Sequence, residues 1–374
     1  PDSAEEARQK ERLMDALYQR VSKQSDRDER GRPIYRILAI SGGGSNGAFG
    51  AGLLTGWTKR GNRPEFDVVT GISTGALMAT FAFLGPDYDH ELHVYTRISD
   101  HDIYSRRSLL SWLKNDAMTD TTPLRELVAD MIDANILDRV ATQYHAGRRL
   151  FIGTTNLDSN TFTLWDMGAI ATSNRADRLE RYRSVVLASA SAPVIFSPVY
   201  IPVDSADGRY WQMHADGGMK EGIMTYGVLQ EPLEVLEKTG LGPRDIRLEI
   251  YGISNSRHDR GTYKPVRPNV KDIAIASTAA LLRNVMDNSV YRMWLKAQLY
   301  DMHAYLAWIP NEAEGPATSF EFDNAAMNRL FRYSHDLASR QDPWLYVPPT
   351  RITPETLDVL DPDRFRRQID GLPE

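Results

Sequence analysis

The sequence predicts an α/β fold in which a mostly parallel central sheet carries helices on both faces. Two observations predict it. β-Prone runs alternate along the chain with helical stretches, the order that parallel strands need for their crossovers. Two early strands also run straight into a glycine-rich turn and then a small-residue helix, at residues 37–59 and 65–83.

The first of these is Ile37-Leu38-Ala39-Ile40-Ser41-Gly42-Gly43-Gly44-Ser45-Asn46-Gly47-Ala48. An apolar strand meets a loop too rich in glycine to be helical, and a helix follows from Ala48 to about Lys59. Glycines let the backbone turn its N–H groups toward one point, and the helix adds the positive end of its dipole. The loop therefore reads as an anion pocket, for a phosphate or for an oxygen that becomes negative during a reaction. It lacks the G-K-[ST] ending of a phosphate-binding P-loop. A dinucleotide fingerprint can be laid on Gly42, Gly44 and Gly47, with Glu65 or Asp67 as its acidic residue.

The second is Glu65-Phe66-Asp67-Val68-Val69-Thr70, then Gly71-Ile72-Ser73-Thr74-Gly75, then an apolar helix. A G-x-S-x-G between strand and helix is a nucleophile elbow. Gly71 and Gly75 leave room for the tight turn, which holds the Ser73 hydroxyl clear of the sheet at the carboxyl end of a strand, where open α/β sheets place their sites.

Later segments follow the same logic. Residues 85–125 read as loop and helices over the active face, with Thr122 capping a helix that has Pro123 in its first turn. A strand at 149–155 and its hairpin partner at 160–165 turn through Asp158-Ser159-Asn160. Residues 178–189 read as a helix that leads into Ala190-Ser191-Ala192-Pro193, where proline stops it. Tyr210-Trp211-Gln212-Met213-His214-Ala215-Asp216-Gly217-Gly218 reads as a strand ending in an acidic glycine loop. Residues 246–253 read as a core strand, and 269–303 as one long helix or two.

At the ends, residues 1–33 form an expected helical arm and charged linker, with Leu13, Met14, Leu17, Tyr18 and Val21 at helical spacing. Residues 34–374 are expected to be one catalytic domain, its motifs within 34–225 and its completion and tail in 226–374. The tail from Pro343 is proline-rich and is expected to wrap the surface.

Composition removes several function classes. The chain has 374 residues and a net charge of −6, which argues against nucleic acid as a partner. It has no cysteine, which excludes disulfides, cysteine nucleophiles and cysteine-ligated metals. There is no H-E-x-x-H pattern, so neither metal nor cofactor is expected. No apolar run reaches membrane-spanning length. A start at Pro1 without Met suits a bacterial envelope or secreted protein whose leader was removed, with the cytoplasm as the alternative.

Three blocks in order carry a family resemblance: Gly42-Gly43-Gly44-Ser45-Asn46-Gly47, Gly71-Ile72-Ser73-Thr74-Gly75 and Asp216-Gly217-Gly218. The chain resembles the patatin-like phospholipases, and residues 188–198 look like a further block of that family. The resemblance implies a three-layer α/β/α fold. It implies a Ser–Asp dyad, in which Ser73 attacks an ester carbonyl and Asp216 takes its proton. Backbone N–H groups of Gly42, Gly43 and Gly44 would hold the oxyanion. The substrate it implies is an acyl lipid, a phospholipid or lysophospholipid, reached through peripheral membrane contact and cleaved without a metal. Two positions depart from the pattern: Asn46 stands where a basic residue is common, and Gly222 and Met224 stand where Asn and Pro often follow D-G-G.

Two other readings stand beside it. One is a Ser–His–Asp carboxylesterase, with His214 as the rival base, although 214 and 216 share a strand face roughly 6–7 Å apart. The other is a non-catalytic lipid binder on the same fold. Trp57, Phe81, Phe83, Trp294 and Trp308 could line an acyl pocket, but aromatics at helical spacing more often belong to the core.

Overall fold

A computed structural model describes residue 20 and residues 26–106, 119–205, 208–225, 245–258 and 265–345. Most of the expected N-terminal helix, and the tail beyond residue 345, lie outside the described residues. Residues 26–33 form a tight turn closed by a bridge between Arg27 and Pro33.

The chain folds as predicted. Strand β1 (Ile34–Ile40) leads through the glycine loop into helix α1 (Gly47–Arg60), and β2 (Val68–Gly71) leads through the elbow into α2 (Thr74–Leu84). Helices α3 (Thr122–Met131) and α4 (Ala134–His145) precede β3 (Arg149–Asn156) and its hairpin partner β4 (Thr161–Asp166). Helix α5 (Arg178–Ser189) leads to the antiparallel pair β5 (Val199–Ser205) and β6 (Gly208–Asp216). Strand β7 (Arg247–Ser254), a single long helix α6 (Val270–Leu299), strand β8 (His303–Trp308) and helix α7 (Asn324–Arg340) complete it. One local expectation changes. Thr122 is the first helical residue rather than the cap, and its amide and hydroxyl both donate to the Asp120 carboxylate, at 3.1 and 2.8 Å.

The eight strands make one sheet in the order β8-β7-β1-β2-β3-β6-β5, with β4 on β3. The run from β8 to β3 is parallel, whereas β4, β5 and β6 join antiparallel. Side chains alternate along β1. Leu38 and Ile40 enter a core with α1, α2 and α7, while Ile37 and Ala39 enter a second core on the other face, beside Met286, Val290 and Met293 of α6. Both faces are thus covered, as a parallel sheet requires. Among the described residues, no helix is long and apolar enough to cross a membrane.

One feature of the topology positions the site. β2 and β4 both pair with Phe151 and Ile152, so they occupy opposite edges of β3. β4 and β6 both pair with Thr154, so they too lie on opposite edges. β2 and β6 therefore share one edge of β3 and meet end to end. β2 stops with Gly71 opposite Ile152, and β6 arrives from the other direction with Asp216 opposite Thr154. The elbow after Gly71 is forced up beside Asp216.

Candidate active site

Ser73 sits at φ 57°, ψ −125°, a conformation that L-residues rarely adopt. Such geometry costs about 1–3 kcal/mol and persists only where the surroundings over-determine it. The flanking glycines show how tightly it is held. A Cβ on Gly75 would collide with the Ile40 carbonyl, and one on Gly71 with the Gly75 carbonyl 2.5 Å away. The Ser73 amide donates to Ser189 Oγ at 3.0 Å, and Ser189 Oγ donates onward to the Gly153 carbonyl at 2.7 Å.

The Ser73 hydroxyl lies beside the Asp216 carboxylate on the wall of one cavity, close enough to stabilise its charged form. Asp216 is 3% exposed. Its Oδ1 accepts the Gly218 amide at 2.7 Å, its backbone carbonyl accepts the Thr155 hydroxyl at 2.9 Å, and its amide donates to the Ser191 carbonyl at 3.0 Å. Burial pushes the Asp216 carboxyl up to about 6, against the Ser73 hydroxyl and the Gly218 amide, which pull it down. The residue is thus a stronger base than an ordinary carboxylate.

Gly42, Gly43 and Gly44 stand on the wall of the same cavity as Ser73 and Asp216. A Cβ on Gly42 would lie 3.0 Å from Ser73 Cβ, and one on Gly43 would strike Asn255. Gly44 has φ +56° and faces the Ser319 carbonyl so closely that no Cβ fits. Among the described residues, the amides of Gly43 and Gly44 find no protein acceptor. They are available to a developing oxyanion.

The loop is tied down by Asn255, which sequence reasoning missed. It is fully buried at the end of β7. Its backbone amide donates to Ser41 Oγ at 2.8 Å, its Nδ2 donates to the Ser41 carbonyl at 3.0 Å, and its Oδ1 accepts the Gly50 amide at 2.9 Å. Nothing local in Ser254-Asn255-Ser256 marks it, because its partners come from Ser41 after β1 and Gly50 in α1.

His214 is close in sequence but not in function-bearing contact. The Thr154 hydroxyl meets its Nδ1 at 2.9 Å, Gln212 Oε1 meets its Nε2 at 3.2 Å, and the Trp165 ring packs against it. Gln212 Oε1 accepts the Nε2 proton, so the neutral ring accepts at Nδ1 from the Thr154 hydroxyl, whose oxygen in turn accepts the Trp165 indole N–H at 2.8 Å. Both nitrogens are engaged away from Ser73, and burial lowers the ring to about 4. His258 does form a line with Ser254 (2.8 Å) and Asp287 (2.8 Å), but Ser254 is fully buried. No histidine is among the residues lining the cavity.

The cavity holds about 310 Å³, the lower end of ligand pockets. Its apolar wall comes from Leu77, Tyr95, Ile98, Ile103, Leu124 and Phe196, and its far side from Leu282 and Met286 of α6. Trp57, Phe81 and Phe83 belong to the core instead, and neither Trp294 nor Trp308 lines the cavity. Gly222 has a structural reason of its own. The Met286 backbone of α6 passes so close that a Cβ there would overlap it. Met224 is buried, and its carbonyl accepts the Thr70 hydroxyl at 3.2 Å.

The dinucleotide reading fails on Asp67. That residue lies at the opposite end of the sheet from the glycine loop, fully buried and bound by Arg20 Nε at 2.6 Å and the Arg36 amide at 2.7 Å. Among the described residues, no group of three His, Asp or Glu could hold a metal.

A sequence model described as patatin-like phospholipase matches residues 38–240. Among solved structures, the chain is similar to that of VipD from Legionella pneumophila, with a TM-score of 0.35 and 14% identity over 84% of this chain and 69% of that one. No curated protein matches the sequence.

Proposed function

The chain belongs to the patatin-like phospholipase family, and from that premise we propose that it cleaves acyl esters of lipids through a Ser73–Asp216 dyad. Membership supports a lipid acyl hydrolase in general. The dyad itself rests on one observation: the hydroxyl of a strained elbow serine meets a buried carboxylate inside a cavity walled by the glycine loop.

The proposed sequence of steps uses only this chain's residues. Ser73 Oγ attacks the ester carbonyl carbon while Asp216 accepts its proton. The carbonyl oxygen becomes an oxyanion between the Gly43 and Gly44 amides, with Gly42 leaving Ser73 room to move. Collapse expels the alcohol portion, which leaves with the proton held by Asp216. Water then attacks the acyl-Ser73 ester and gives its proton to Asp216. The fatty acid departs and Ser73 regains its hydrogen. A carboxylate near 6 is still ionised at neutral pH yet closer to the ideal strength for a base.

The apolar wall around Leu77, Ile98 and Phe196 suits an acyl chain. A phospholipid or lysophospholipid is the proposed substrate, approached at a lipid surface. We also propose that residues 34–374 act as one catalytic unit, since the sheet takes strands from both ends of the described chain and α7 packs on α1.

The test is a lipid panel running from p-nitrophenyl esters to intact phospholipids, with Ser73→Ala as blank and a fluorophosphonate probe mapped by mass spectrometry. Labelling at Ser73 and turnover lost in Ser73→Ala are expected. A label that survives the substitution, or a chain that binds lipid without turnover, would refute the reading.

A further inference from the structure

We propose that the short segment Ser189-Ala190-Ser191 sets the separation of the two dyad residues, and that Ser189 is a positioning residue for Ser73. This rests on the Ser73–Asp216 reading above and adds a role to a stretch that reading leaves unused.

The end of α5 touches the backbone of both partners. The Ser189 hydroxyl accepts the Ser73 amide at 3.0 Å, and two residues on the Ser191 carbonyl accepts the Asp216 amide at 3.0 Å. Ser73 comes from β2 and Asp216 from β6, and the two strands are not paired with each other. β3 gives them a common edge, and the end of α5 holds each main chain by one hydrogen bond.

Ser189 is suited to the task. It is fully buried, and its hydroxyl proton goes to the Gly153 carbonyl at 2.7 Å. A hydroxyl has one proton and two lone pairs. With the proton fixed on Gly153, a lone pair is fixed on the Ser73 amide. Gly153 is itself on β3, between Ile152 opposite Gly71 and Thr154 opposite Asp216. The serine thus refers the elbow to the strand that registers both partners. The Ser73 conformation needs such a constraint, because φ 57° is not one an L-residue takes unaided.

Loss of the hydroxyl would leave the Ser73 amide and the Gly153 carbonyl without this partner and let the elbow relax. The nucleophile would then drift from Asp216. A displacement of about 1 Å near the reacting atoms can cost about 10²-fold in rate. Because the Ser73 hydroxyl is one of the two groups that hold the Asp216 carboxyl down, a looser dyad would also titrate higher.

The experiment compares Ser189→Ala, Ser189→Cys and Ser189→Thr with Tyr182→Phe. Tyr182 is on the same helix and equally buried, and its hydroxyl meets Thr80 at 2.8 Å, away from the dyad. Melting temperature, kcat, KM and the pH profile on one soluble ester are read for each. Ser189→Ala and Ser189→Cys are expected to lower kcat by roughly 10- to 100-fold with KM nearly unchanged, and to move the acid limb to higher pH. Ser189→Thr keeps the hydroxyl and is expected to recover most of kcat, while Tyr182→Phe lowers only the melting temperature. If Ser189→Ala does not fold, Ser189→Cys, which keeps shape with a weak hydrogen-bonding group, carries the comparison. Unchanged kcat and acid limb in a folded Ala or Cys variant would overturn the inference alone, provided fluorophosphonate still labels Ser73. Failure of the probe to label Ser73 in the unsubstituted protein would overturn the underlying dyad, and this inference with it.

Discussion

Asp216 stands opposite Thr154 on β3, on the same edge and just past the point at which Gly71 ends the β2 ladder opposite Ile152. The elbow serine and its carboxylate meet because a parallel and an antiparallel strand run out toward each other along one neighbour. Chemistry, stability and pH dependence all follow from that meeting inside the protein.

The pH profile comes first. In water a carboxylate titrates near 4 and an imidazole near 6–7. Burial reverses the order: Asp216 is raised to about 6 and His214 is lowered to about 4. The base must be deprotonated to act, so kcat/KM should rise with pH through a single limb near 6 and stay high above it. A limb near 4 would point to His214.

The same burial has a cost in stability. A carboxyl whose folded-state value is raised stabilises the fold while it is protonated, and that contribution fades as pH rises through the folded value. For Asp216 the window runs from below 3.8 to above 6. Asp216→Asn should therefore be more stable than the unsubstituted protein at pH 8, by up to about 3 kcal/mol for a shift of about two units. The gain should vanish toward pH 4. Urea titrations at both pH values check it.

Asn255 ties the glycine loop and α1 to β7 through its amide side chain, with bonds to the Ser41 carbonyl and the Gly50 amide. Asn255→Ala leaves both buried groups without these partners, at about 1–3 kcal/mol each. We expect a lower melting temperature together with a fall in kcat that exceeds the fall in a fluorophosphonate-independent binding signal for substrate. A destabilised variant with full kcat would separate Asn255 from the oxyanion loop.

Gly222 leaves no room between its own backbone and Met286 of α6. Gly222→Asn, the residue common elsewhere in the family pattern, should destabilise the protein by about 1–3 kcal/mol, the usual range for overpacking. Thermal melts of Gly222→Asn and Gly222→Ala should both show the loss. Unchanged melting would mean that α6 can withdraw.

Much of this was legible in the sequence, for local reasons. The elbow declares itself because Gly71 and Gly75 bracket Ser73 between a β-prone run and an apolar helix. The glycine loop declares itself because Gly42, Gly43 and Gly44 interrupt two periodic segments. Asp216 is different, since an aspartate before two glycines is an ordinary turn, and only its place in a three-block pattern singled it out. The antiparallel β5–β6 pair, the hold of Ser189 and Asn255, and the α6 wall of the cavity were not legible. Each depends on a partner distant in the chain, and hydrophobic periodicity reports which residues are buried but not against which strand. The pH order of Asp216 and His214 was not legible for the same reason, because desolvation is a property of the assembled site.

The most direct test of the Ser73–Asp216 dyad is the turnover of Asp216→Asn beside that of His214→Ala on one ester substrate. Asn keeps the shape of the side chain and removes the proton acceptor, so kcat should fall by at least about 10²-fold, the lower range for a positioned base. His214→Ala should fall far less, because the ring is engaged by Thr154 and Gln212 rather than by Ser73. Equal losses in the two variants, or the larger loss in His214→Ala, would contradict the dyad.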